Sequence, residues 1–117
     1  MRIDSHHIKI VDLIRLGVFS LLLISPSVWA TPTIQIEIRN HLFFPSEIEI
    51  AAGQKVKLVV INKDNSAEEF ESYELNREKV IPGNSKGIIF VGPLKTGEYP
   101  FFGEFFPKTA QGIIHVK

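Results

Sequence analysis

Hydrophobic and polar residues alternate along much of the chain from residue 33 onward. Ile34, Ile36 and Ile38 alternate with polar residues, and Ile48 and Ile50 do the same. An alternation of period two gives an extended segment one buried and one exposed side, so it predicts β-strands. Further apolar runs of strand length lie at residues 56–60, 87–91, 99–102 and 113–116.

Short segments rich in turn-forming residues separate these runs. Ala52-Gly53, Pro82-Gly83-Asn84 and Gly92-Pro93 are three of them. Strands of this length, with turns at this spacing, are typical of an all-β domain. The pattern therefore predicts a Greek-key β-sandwich of about seven strands.

Residues 1–30 have a different pattern. Arg2, Lys9 and Arg15 precede the apolar run 16–24, and the segment closes on Val28-Trp29-Ala30. This order predicts a signal peptide that is cleaved after Ala30. The apolar run is shorter than the roughly 20 residues that a membrane-spanning helix needs. We therefore expect an exported, periplasmic protein whose residues 31–117 form one domain.

Composition limits the chemistry of that domain. The chain has no cysteine, and its single methionine is Met1, so the predicted mature protein has no soft sulfur ligand. Electron transfer through a blue-copper centre is excluded, because that centre needs a cysteine thiolate and two imidazoles. Lysine and arginine together number 13, as do aspartate and glutamate. This balance does not favour binding to nucleic acid or to anionic lipid.

Several motifs follow one another in an order that resembles the cupredoxin domain. They are Phe44-Pro-x-x-Ile48-x-Ile50-x-x-Gly53, Val59-x-Ile61-Asn62-x-Asp64, Ile81-Pro-Gly83, Gly97-x-Tyr99-x-Phe101 and Gln111-Gly-Ile-Ile-x-Val116. The resemblance implies a cupredoxin-like sandwich over nearly all of residues 33–117.

The same resemblance indicates which residues stand where cupredoxins bind copper. Glu69, or alternatively Glu68, occupies the position of the first histidine. Gly103 replaces the cysteine, Phe106 replaces the second histidine, and Ala110 lies near the methionine position. None of these residues can bind copper as a blue-copper protein does.

Three phrases are similar to a subgroup of periplasmic cupredoxin-like proteins associated with iron permeases. They are Glu68-Glu-Phe-Glu-Ser72, Arg77-Glu-Lys-Val-Ile-Pro82 and Phe102-Gly-Glu-Phe-Phe-Pro-Lys-Thr-Ala-Gln-Gly112. In that subgroup the last phrase usually has histidine at the position of Phe106, so this chain lacks that imidazole. The resemblance implies binding of iron or copper, with a membrane metal permease or its accessory proteins as partners.

Carboxylates are the main candidate ligands. Glu69 and Glu71 are two residues apart, so on an extended segment both point to one face. The resemblance places Glu104 in a loop at the same end of the sandwich. Three carboxylates suit hard cations such as ferric iron. Alternatively, the acidic segment is a solvated strand face that pairs with Arg77 and Lys79.

Histidine and phenylalanine supply the remaining candidates. His41 is a possible fourth ligand, although a hydrogen-bonded turn residue is the alternative. Phe105-Phe106 could form an apolar docking patch at a loop tip. No catalytic constellation is visible, so we expect a protein that is not an enzyme. The leading hypothesis is a metal-binding accessory protein, and the alternative is a metal-free interaction module that uses the Phe105-Phe106 loop.

Overall fold

The computed structural model describes residues 30–117. Residues 1–29 of the predicted signal peptide lie outside this part of the chain. The described residues contain nine strands and no α-helix. The strands are β1 (Thr33–Arg39), β2 (Leu42–Phe44), β3 (Glu47–Ile50), β4 (Val56–Asn62), β5 (Glu68–Ser72), β6 (Arg77–Ile81), β7 (Ser85–Val91), β8 (Gly97–Gly103) and β9 (Gln111–Val116).

The strands form two mixed sheets. One sheet has four strands in the order β2-β1-β4-β7, and the other has five in the order β3-β9-β8-β5-β6. The β1–β4 and β3–β9 pairs are parallel, whereas the other pairs are antiparallel. The prediction of an all-β sandwich is confirmed. The count of seven strands was too low because β2 has only three residues and β6 is exposed at four of its five positions.

The core lies between the two sheets and contains a cluster of three aromatic rings. Phe70 and Phe101 stack with their ring centroids 5.0 Å apart, and Phe43 meets Phe101 edge-on at the same distance. Alternate residues of each sheet surround these rings, as the period-two pattern predicts. Ile36 and Leu58, for example, are fully buried. This core joins the four-stranded sheet to β5 and β8.

Two polar side chains organise the turns at one end of the sandwich. The carboxylate of Asp64 accepts the N–H groups of Asn40 and His41, at 2.8 and 2.9 Å. Both of these residues have positive φ, as expected for a two-residue turn between paired strands. The buried Asn62 donates from Nδ2 to the carbonyls of Ser66 and Ile81, and its Oδ1 accepts the N–H of Asp64. The β1–β2 turn is therefore tied to the loop that leads into β5.

Within residues 30–117, no helix is long and apolar enough to cross a lipid bilayer.

Candidate functional site

Glu68 occupies the interior at the end of the sandwich where β5 meets the end of β8. Its side chain is buried because β5 alternates strictly and directs residues 68, 70 and 72 inward. Oε1 accepts the N–H of Phe105 at 2.9 Å and that of Glu69 at 2.8 Å. Oε2 is also buried, and it has no hydrogen-bond partner among the described residues. The carboxylate thus holds the loop after β8 against β5 from inside.

Gly103 makes room for this carboxylate. A Cβ atom at residue 103 would lie against the Glu68 carboxylate and only 2.7 Å from Cβ of Ala110. Real side chains do not tolerate such separations, so one of the neighbours would have to move. The backbone of Gly103 donates a hydrogen bond to the carbonyl of Ala110 at 2.8 Å. Glycine is therefore required here by a close approach and not by an unusual backbone angle.

His41 and Phe106 cover the same end of the sandwich. Their rings stack with centroids 3.5 Å apart and an interplanar angle of 15°. The imidazole Nδ1 lies 3.5 Å from Oδ2 of Asp64, and the backbone carbonyl of His41 accepts the hydroxyl of Thr109 at 2.7 Å. These contacts make His41 part of the packing between the β1–β2 turn and the loop after β8.

A second carboxylate group lies on the outer surface of the β5–β6 hairpin. Glu69 and Glu71 both point outward from β5, and the register pairs Glu71 with Glu78 of β6. Each of these three residues offers one carboxylate oxygen within 4.8 Å of the other two. We call Glu69, Glu71 and Glu78 the glutamate triad. The pKa of Glu71 is raised, first by desolvation in its half-buried position and then by the neighbouring negative charge of Glu78.

The structure brings together two of the four residues that the sequence proposes as metal ligands. Glu69 and Glu71 share the glutamate triad. Glu104 has an exposed side chain, and its backbone N–H donates to the carbonyl of Glu69 at 2.9 Å. Among residues 30–117, neither Glu104 nor His41 belongs to a group of three potential ligands.

Two glutamates, Glu68 and Glu78, were not identified as site residues from the sequence. Glu78 joins the triad only through the hairpin register, which no periodicity within β6 indicates. Glu68 was considered only as an alternative for the first histidine position, and the structure shows that it, and not Glu69, fills the interior beside Gly103. The strict alternation of β5 separates Glu68 from Glu69, but sequence alone does not say which one faces inward.

The fold and this end together define a β-sandwich of the cupredoxin type without its sulfur and histidine ligands. The chain matches the family described as "Cupredoxin-like domain" over residues 13–116. It therefore belongs to the cupredoxin-like domain family.

Similar proteins have been found by sequence and by structure. An uncharacterized protein of Rickettsia prowazekii (strain Madrid E) is 41% identical over 83 residues, which is 71% of this chain and 66% of that protein. The chain thus spans slightly less than two thirds of that relative's length.

Among solved structures, the metal-binding domain of the Cu(I)-exporting P-type ATPase CopA of Streptococcus pneumoniae D39, with Cu(I), has a TM-score of 0.64 at 18% identity. That match covers 78% of this chain and 91% of that domain. Auracyanin A, a "blue" copper protein from Chloroflexus aurantiacus, has a TM-score of 0.63 at 14% identity, covering 75% and 100% of the two chains. At these identities the likeness establishes the fold alone.

The residues at the interior end do not fit a blue-copper ion. Glycine, phenylalanine and alanine at 103, 106 and 110 offer no side-chain ligand. The space beside Gly103 is already filled by the Glu68 carboxylate, which leaves a single oxygen without a partner. One carboxylate oxygen cannot replace a thiolate and two imidazoles.

Proposed function

We propose that this protein is an exported accessory protein that binds a hard metal cation on its outer surface in support of membrane metal uptake. The observation that supports this function best is the glutamate triad, in which three carboxylates from one hairpin approach within the span of a single cation. Carboxylate oxygens are the ligands that ferric iron and other hard cations prefer. The proposed site is therefore Glu69, Glu71 and Glu78, and Glu104 and His41 are not included.

Electrostatics within the triad support binding of a cation. The raised pKa of Glu71 reflects a position where negative charge is disfavoured by burial and by Glu78. A bound cation would relieve that repulsion, because a nearby opposite charge favours the ionised carboxylate. Affinity should consequently increase with pH as the proton on Glu71 ceases to compete with the metal.

Iron is the metal that we favour, and copper is the second choice. The resemblance of residues 68–72, 77–82 and 102–112 to proteins associated with iron permeases supports iron, as does the all-oxygen ligand set. Several structural neighbours are described as copper proteins, but the low sequence identity limits that likeness to the fold. The proposed partner is a membrane metal permease or its accessory protein.

Isothermal titration with ferric citrate, ferrous iron and cupric ion tests the site. The protein is used as an exporting host produces it. Glu71→Gln is compared with Glu74→Gln, since Glu74 is an exposed glutamate in the β5–β6 turn that does not belong to the glutamate triad. We expect Glu71→Gln to weaken metal binding about tenfold or more. Even the loss of a residue that only hydrogen-bonds to a metal ligand typically lowers metal affinity by about that factor, and Glu71 is a proposed ligand itself. Glu74→Gln should bind as the unmodified protein does. Equal affinity in all three proteins, or no binding in any, would reject the proposal.

A metal-free interaction module is the second candidate function, and the exposed ring of Phe105 is the observation that favours it. Phe105 is 47% exposed on the loop that Glu68 fixes, whereas Phe106 is half-buried beneath His41. The docking patch suggested by the sequence is thus reduced to a single exposed ring. Elemental analysis of the protein as purified from the periplasm separates the two candidates, because only the first predicts stoichiometric metal.

A further inference from the structure

The outer face of the four-stranded sheet is apolar where β4 pairs with β7. Val59 lies opposite Ile88 in this register, and Lys57 lies opposite Phe90. Ile88 is 44% exposed and Phe90 is 46% exposed, and both lie on β7, the edge strand of this sheet. Two large apolar side chains that point outward side by side form a surface suited to contact with another apolar phase.

Four cations lie beside these apolar residues. The Lys55 ammonium lies 4.9 Å from the centroid of the Phe90 ring, and Arg77 Nε donates to the Phe90 carbonyl at 2.9 Å. Lys57 and Lys86 point outward from β4 and β7 beside them. None of the four forms an ion pair with a carboxylate of the described domain. We call this surface the cationic face, and it consists of Lys55, Lys57, Arg77, Lys86, Ile88 and Phe90.

Acidic residues are concentrated on the opposite sheet. Glu37 is the only acidic residue in the four strands of the first sheet, and it is paired with Arg39 at 3.2 Å. The strands of the five-stranded sheet contain seven glutamates, of which Glu68 alone is buried and the others are half-buried or exposed. The balanced net charge of the sequence therefore conceals a separation of charge between the two faces.

We propose that the cationic face docks the protein on an anionic lipid surface. Lysine and arginine around exposed phenylalanine and isoleucine match the two layers of such a surface, the charged headgroups and the apolar interior beneath them. The acidic sheet is repelled by the same headgroups, so the domain binds in one orientation. An acidic protein partner would match the cations equally well, but the exposed apolar side chains of Ile88 and Phe90 between them favour lipid. Docking of this kind does not depend on the cation site proposed above.

Co-sedimentation with vesicles tests the proposal. Vesicles of phosphatidylglycerol and phosphatidylcholine are compared with vesicles of phosphatidylcholine alone, using the protein as the host produces it. Each basic residue near an anionic surface contributes roughly fivefold to binding. Reversing two of them, in Lys57→Glu with Lys86→Glu, should weaken binding by roughly twentyfold or more. Ile88→Ser with Phe90→Ser should also weaken binding while leaving the charge unchanged.

Lys108→Glu with Lys117→Glu is the matched control. It changes the net charge by the same amount, but neither residue lies on β4, β6 or β7. All variants keep residues 1–30 unchanged, so any contribution of that segment is common to them. Binding lost equally in the control would overturn the proposal, because net charge alone would then explain it. Binding to polyglutamate without binding to either vesicle would also overturn it and would indicate an acidic protein partner.

Discussion

Replacing Gly103 with alanine tests whether the Glu68 carboxylate fills the space beside residue 103. The added methyl group meets that carboxylate and lies 2.7 Å from Cβ of Ala110. Ala110 is fully buried and cannot retreat into solvent. Overpacking of a buried site typically costs about 1–3 kcal/mol. If Glu68 moves instead, it loses hydrogen bonds to Phe105 and Glu69, each worth about 1.5–3 kcal/mol for a charged group.

The less costly of the two routes sets the loss, so Gly103→Ala should lower the free energy of unfolding by about 1–3 kcal/mol. Small domains have roughly 0.05–0.15 kcal/mol of stability per residue, so this loss is a large share of the total. Urea denaturation followed by circular dichroism measures it, and an unchanged slope against urea shows that the compactness of the two states is unaltered.

Glu68→Ala, alone and combined with Gly103→Ala, completes a double-mutant cycle. Alone it leaves the N–H groups of Phe105 and Glu69 without their acceptor and opens a small cavity. In the double variant the methyl group at residue 103 has space, so the combined loss should be about 1–2 kcal/mol smaller than the sum of the single losses. Additive losses would refute the reasoning, because they would mean that residue 103 and the carboxylate do not compete for the same space. If Glu68→Ala fails to fold, Glu68→Gln serves the same comparison.

Two further predictions concern the triad and the turn. Because the folded-state pKa of Glu71 is raised, its ionisation opposes folding, and the resulting loss of stability develops as pH rises from the unfolded pKa through the folded one; Glu71→Gln should therefore raise the thermal midpoint near pH 7 more than near pH 4, and an equal shift at both values would contradict this. Asn62→Ala should lower the free energy of unfolding by about 2–4 kcal/mol in urea denaturation, because it leaves the buried carbonyl of Ile81 and the N–H of Asp64 without side-chain partners; a loss below 1 kcal/mol would show that water replaces them.

The strands that the sequence predicted are those whose two sides have different surroundings. β4 reads as alternating buried and half-buried residues, and β3 as alternating exposed and buried ones, so period two is visible in both. β6 was missed because Arg77, Glu78, Lys79 and Val80 are all exposed. Its position at the sheet edge is fixed by pairing with β5, and that pairing leaves no periodic pattern in β6 itself.

The candidate site, like the strands, was predictable only where it depends on the alternation within one strand. Glu69 and Glu71 share a face because a strand alternates, and this is a property of the sequence. The addition of Glu78 depends on the hairpin register, which places it opposite Glu71 across the turn at residues 73–76. The separate position of Glu104 depends on how the loop after β8 folds over Glu68, and this is a tertiary contact that one sequence does not reveal.

The two sides of strand β5 have different roles. Its inward residues hold the fold, since Glu68 fixes the loop after β8 and the Ser72 hydroxyl donates to the carbonyl of Pro100 at 2.7 Å. Its outward residues, Glu69 and Glu71, carry the proposed cation chemistry. Substitutions on the inward side should therefore change stability before they change cation affinity, and those on the outward side should do the reverse. A strand divided in this way is compatible with the proposed cation site, because the Glu68 carboxylate fills the interior beside Gly103 while Glu69 and Glu71 point outward from β5.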